Sequence, residues 1–169
     1  MIDDRNHAAA LREAFDRDFA EPPRAAGDDR VALLALVAGQ EQVAVRVLEA
    51  AGLLPARPIV AVPSRRPELL GVAGVRGAVV PIWSAARLLG RADGGPPAWI
   101  VLAGAGERVG LAFEAFEGHL LVAPSVLAAA PGGSHVAGAL HAGDAVRPIL
   151  SVPSLLAAIT RTRDSEPPR

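Results

Sequence analysis

A mainly β protein of two packed lobes is the architecture this sequence implies, and three observations point to it. Apolar runs of strand length recur along most of the chain, glycine-rich turns separate them, and helical patterns are short and lie mostly toward the ends. A polar linker at residues 91–97 divides the runs into two groups of about five strands each. Neither half can bury a large core alone, so the halves should pack on each other as lobes at 30–92 and 96–152, within a domain at 29–162.

Residues 1–28 stand apart from this pattern. Leu11, Phe15 and Phe19 recur at spacing four among good helix formers, and Glu21-Pro22-Pro23 ends the run, so a short amphipathic helix and a flexible connector are expected. From Val31 the pattern becomes β. Residues 31–37 form an apolar run, Val43, Val45 and Val47 alternate with Ala44, Arg46 and Leu48, and Gly39, Gln40, Glu41 and Gln42 between them read as a hairpin turn. Ile59 to Val62, between Pro58 and Pro63, is a further short strand. Residues 69–83 are β-rich but broken by Gly71, Gly74 and Gly77, as in strands joined by a tight turn or bulge. Ser84 is a fitting N-cap for a short helix through Leu89, with Gly90 as its stop.

Beyond the linker the theme repeats. Residues 98–103 and 109–113 read as strands joined through 104–107, and 119–123 follows as another. Residues 136–141 and 145–152 form a last pair turned at 142–144, and Pro153-Ser154 opens a terminal helix at 153–161. The polar, proline-containing tail at 163–169 is expected to fray.

Composition narrows the function classes. The chain has 169 residues, 51% of them hydrophobic, and a formal net charge of −1, which suits an ordered globule with no electrostatic call on nucleic acid or anionic membrane. The absence of cysteine removes disulfides, thiol catalysis and thiolate metal sites. The polar start argues against a secretory signal, and no apolar stretch approaches the roughly 20 residues that span a bilayer, so a cytoplasmic protein without membrane insertion is expected.

Catalytic patterns are missing. No serine lies in a Gly-x-Ser-x-Gly elbow, and without lysine there is no P-loop. Gly71, Gly74 and Gly77 are followed by a strand pattern, which favours turn geometry over a dinucleotide fingerprint. His135 and His141, six residues apart on a strand, would stand roughly 20 Å apart, too far to share a metal. No metal, cofactor or enzymatic activity is therefore expected. Two charges in the apolar first half call for an account: Arg76, between Val75 and Gly77, and Glu49, at the end of the second strand. Pairing would spare each an uncompensated charge, and a structural ion pair is compatible with a binding role.

At residues 67–83 the sequence resembles the hallmark of CheW-like domains. That hallmark has a proline, a hydrophobic pair, Gly-Val, a hydrophobic residue, Asn-Leu-Arg-Gly, a hydrophobic run with an internal proline, and an aspartate before a short helix. Leu69-Leu70-Gly71-Val72 and Val75-Arg76-Gly77 match it, whereas Gly74 replaces the asparagine and Ser84 the aspartate. Glu49 resembles the glutamate ending the family's second strand, and residues 109–116, 147–151 and 155–156 resemble its later elements, so the likeness covers about residues 30–160. Arg12, Phe15-Asp16 and Phe19-Ala20 also resemble the N-terminal extension of one proteobacterial subgroup. The resemblance implies two intertwined SH3-like five-stranded barrels. It further implies an adaptor, divergent or auxiliary, recruited to receptor arrays at the membrane. Its partners would be the regulatory domain of a CheA-type histidine kinase and the cytoplasmic tip of a methyl-accepting chemoreceptor. Glu49, Gly74, Val75, Arg76, Gly77 and Ser84 are the expected receptor-groove residues. Gly39, Gln40, Glu41, Gln42, Arg65 and Arg66 are the expected kinase contacts. The alternatives are a sensor module holding a small ligand between its lobes and, more weakly, a hydrolase using His135 and His141.

Overall fold

The alternating apolar runs fold as antiparallel hairpins. A computed structural model describes residues 29–104, 108–129, 134–142 and 145–161. Its strands are β1 (Val31–Ala38), β2 (Glu41–Arg46), β3 (Gly52–Pro55), β4 (Leu69–Val75), β5 (Ala78–Ser84), β6 (Trp99–Ala103), β7 (Val109–Phe113), β8 (Ala115–Val122), β9 (Leu127–Ala128), β10 (Val136–Ala142) and β11 (Ala145–Leu150). The helices are α1 (Ala85–Leu88) and α2 (Val152–Arg161). Short 3-10 turns at Val47–Glu49 and Pro124–Val126 complete the order. The N-terminal stripe of Leu11, Phe15 and Phe19 and the tail at 163–169 lie outside the described residues.

The strands form two sheets, in the orders β8-β1-β2-β11-β10-β9 and β3-β6-β7-β5-β4. This corrects the division into sequence halves. The first sheet takes its strands from both ends of the chain, and the second is built from the middle, on both sides of the 91–97 linker. Pairing across the sheet outweighs proximity in sequence here: β2 lies parallel to β11, with Ala44 opposite Ile149, and β5 lies parallel to β7, with Trp83 opposite Leu111.

The alternation along each strand then makes three apolar clusters. The central one lies between the sheets and gathers Leu34, Leu36, Val43 and Val45 from the first, Trp83, Val101, Leu111 and Phe113 from the second, and Leu155 and Ile159 from α2. On the second sheet's other face lie Val75, Val80, Ile82, Ile100 and Leu102, and on the first sheet's other face Leu33, Ala44, Leu140 and Ile149. Each fully buried aliphatic side chain contributes about 1.5–3 kcal/mol.

Two further expectations are revised. Residues 59–62 do not form a strand. They run as an extended strap along the edge of β4, attached by one antiparallel bridge between Val60 and Val72. Gly71 (φ 146) makes that approach possible, since a Cβ there would stand 2.2 Å from the Val60 carbonyl oxygen. Glu49 and Arg76 do not pair either. Glu49 lies 3.4 Å from Arg46 and accepts the Val152 N–H at 2.8 Å, closing an open donor at the start of α2. Arg76 stands exposed at the tip of the β4–β5 hairpin, where solvent satisfies its charge.

Candidate docking surface

Opposed residues of antiparallel strands present their side chains on the same face. Along β4 and β5, Ala73 and Val75 with Val80 and Ile82 point into the second sheet's own core. The residues between them take the other face, in the opposed pairs Val72 with Pro81 and Gly74 with Val79. Across the bridge Val60 adds a third member to the row, Val60–Val72–Pro81. Trp83, further along this face, lies under the first sheet and α2, but the stretch from Pro81 to the hairpin tip extends past that cover. Val79 is therefore 76% exposed, Val60 64% and Val62 36%. The result is an apolar face one strap and two strands wide, with Gly74 as an open floor where an added Cβ would meet nothing within 4 Å.

The turn that ends this face consists of Arg76 (φ 49) and Gly77 (φ 78), between the paired residues Val75 and Ala78. Two successive positive φ values define the hairpin turn whose twist matches that of its strands, and asparagine before glycine is its usual sequence. Arginine accepts the strained first position here. Among the described residues its guanidinium has no ion-pair partner, nor have those of Arg57 and Arg65 on the strap. The face is thus apolar at its centre and cationic at its margin.

The residues expected to form the receptor groove separate into two kinds. Gly74, Arg76 and Gly77 are exposed together at the hairpin end, while Val75 is buried beneath them. Ser84 is 3% exposed; its hydroxyl accepts from the Arg87 N–H and donates to Asp93 Oδ1 at 2.7 Å. Ser84 and Glu49 spend their polar atoms holding α1 and α2 in place.

The expected kinase contacts separate likewise. Gly39 (φ 69) and Gln40 make a two-residue turn, with Glu41 and Gln42 already inside β2. Gly39 N–H donates to Glu114 Oε2 at 2.8 Å, Glu41 pairs with Arg91, and Gln42 donates to Glu117 at 2.9 Å. Glu117 also accepts from Arg147, and that hydrogen bond, foremost, lowers its pKa below 4.5. Arg65 is exposed. Arg66 lies 4.3 Å over the Trp83 ring, donates to the Ile159 carbonyl at 2.9 Å and faces Glu68, so it fastens α2 to the second sheet.

Three contributors carried no clear sequence signal. Val79 reads as an ordinary core position of an alternating strand. Asp93 and Glu114 read as linker and strand-end polar residues. Yet Asp93 joins Ser84 and Arg87, and Glu114 receives both Gly39 N–H and, at 3.1 Å, Gly94 N–H. His135 places Nδ1 2.8 Å from Ser154 Oγ beside α2. Among the described residues no group of three metal-ligating side chains gathers, and no helix is long and apolar enough to cross a membrane.

The model of the CheW-like domain family matches residues 32–160. Among solved structures, the fold is similar to that of the scaffolding protein TtCheW from Thermoanaerobacter tengcongensis, with a TM-score of 0.66 at 14% identity, over 73% of this chain and 85% of that one. No curated protein gives a significant match.

Proposed function

This chain belongs to the CheW-like domain family, and from that premise we propose that it is a non-enzymatic adaptor that couples chemoreceptors to a CheA-type histidine kinase. The observation that carries this reading is the apolar, cation-edged face at the β4–β5 hairpin, with Val79 76% exposed on a hydrogen-bonded pair of strands. Surfaces of this kind, an apolar centre within a polar margin, suit protein partners. In this reading the receptor tip meets Gly74, Arg76 and Gly77, with Val75 buried beneath them, while Glu49 and Ser84 contribute by fixing α2 and α1. The kinase regulatory domain meets Gln40, Glu41, Gln42 and Arg65, with Gly39 and Arg66 in supporting places. The protein acts in the cytoplasm, at membrane-associated arrays, and the partners do the chemistry.

The test is reconstitution. Purified chain, a CheA-type kinase and receptor cytoplasmic fragments from the same cell are mixed, and both co-sedimentation and kinase autophosphorylation are measured. The chain should be required for kinase to sediment with receptor and for the receptor to alter kinase activity. Kinase that responds equally without the chain would refute the reading. Val79→Asp should weaken receptor binding about tenfold or more if this face is the contact.

A further inference from the structure

The strap at residues 57–65, whose Val60, Val62, Arg57 and Arg65 belong to the docking face, also has an outward backbone edge that the adaptor reading leaves unused. Val60 exchanges both of its backbone hydrogen bonds with Val72, at 2.8 and 2.9 Å. In an antiparallel pair of this kind the flanking residues turn their N–H and C=O groups to the opposite edge. Ile59 and Ala61 therefore direct theirs away from β4, and among the described residues no hydrogen bond reaches either backbone. Pro63, two residues beyond Ala61 and so turned to the same edge, lacks an N–H and closes the edge on that side, while Pro58 lies on Val60's side and offers β4 no donor. That shortens the edge open to pairing and limits open-ended association. Val60 and Val62, two residues apart and so on one face, are 64% and 36% exposed. Arg57 and Arg65 stand exposed at the two ends, eight residues apart, with no ion pair among the described residues.

We propose that this strap is an acceptor edge. It takes a short extended segment of a partner protein, apolar in the middle and acidic at both ends, which adds as a strand alongside Ile59 and Ala61. Backbone groups supply the pairing, Val60 and Val62 the apolar contact, and Arg57 and Arg65 the charge selection. The proposal goes beyond the receptor–kinase reading and does not rest on it. Arg66 takes no part, since it is committed to Trp83 and α2.

The probe is a synthetic peptide with alternating valines flanked by aspartates, titrated into the full-length protein and followed by amide chemical shifts. Shifts should concentrate at residues 57–65 and 72–74, and added salt should weaken binding. Methylating the peptide's alternate backbone nitrogens should abolish binding, because it removes the donors of strand pairing. Arg57→Glu with Arg65→Glu should lower affinity about tenfold or more, and a lysine-flanked peptide should bind that reversed variant better than the parent. Ala61→Pro removes an outward donor while leaving the Val60–Val72 bonds, and should also weaken binding with the thermal melt unchanged. No binding, binding that survives backbone methylation, or indifference to the arginine changes would overturn the proposal. So would binding that appears only after deletion of residues 1–28, since the occupant of the edge would then be the chain's own acidic N-terminal segment.

Discussion

Two hairpins of this molecule share one local design and differ in everything around it. The β1–β2 turn is Gly39–Gln40 and the β4–β5 turn is Arg76–Gly77; each spans two residues and relies on positive φ. The first is held down. Its Gly39 N–H goes to Glu114, the Ala92 carbonyl leaves no room for a Cβ on Gly39, and Arg91 reaches across to Glu41. The second is free, and an added Cβ on Gly77 would meet nothing within 4 Å. The first turn thereby fastens the first sheet to the linker at residues 91–94, whereas the second projects from the second sheet and stands open to solvent. Local conformation alone does not separate a fastened turn from an exposed one; the neighbours do.

Glycine substitution should break the symmetry most sharply. Gly39→Ala combines the positive-φ cost with a Cβ 2.6 Å from the Ala92 oxygen, and should destabilise by about 3 kcal/mol in denaturant melts. Glu114→Ala removes the acceptor that serves Gly39 and Gly94, and should cost about 2 kcal/mol by the same measurement. Gly77→Ala has only the conformational strain to bear, and about 1 kcal/mol is expected. Equal losses at Gly39 and Gly77 would show that the surroundings contribute nothing.

The remaining two experiments separate stability from binding. Glu117, with its pKa lowered chiefly by the Arg147 hydrogen bond, also holds Gln42 of the first hairpin. A depressed folded-state pKa stabilises above the unfolded value, and the contribution disappears as pH falls from about 4.5 through the folded pKa. Because Glu117 is one-third exposed, the loss should stay below about 1 kcal/mol, and Glu117→Gln should flatten that part of the pH–stability profile. Arg76→Ala should change stability least, within about 0.5 kcal/mol, while weakening receptor-fragment binding measurably. Unchanged binding would remove Arg76 from the docking surface.

Much of the chain was legible because its signals are local. Alternating valines marked β2, Ser84 marked the start of α1 and is indeed its cap, and Gly77 marked a turn that needs positive φ. The edge strap misled for a reason equally local. Ile59 to Val62 has strand composition between two prolines, but only Val60 finds a ladder partner. Arg65 and Arg66 looked alike as a basic pair, yet only Arg66 meets an aromatic ring and a helix carbonyl.

Period-two alternation, turn residues and helix caps act over a few neighbours, so the β class, most strand positions and the family hallmark could be read from residue order. The division of strands between the sheets, the partner of each charge and the exposure of Val79 could not. Glu49 closes a helix start 103 residues away, Gly39 donates to a carboxylate 75 residues on, and Arg66 reaches a carbonyl 93 residues on. Such pairings are chosen when the sheets pack, because only then do desolvation and geometry favour one partner over the others that composition allows.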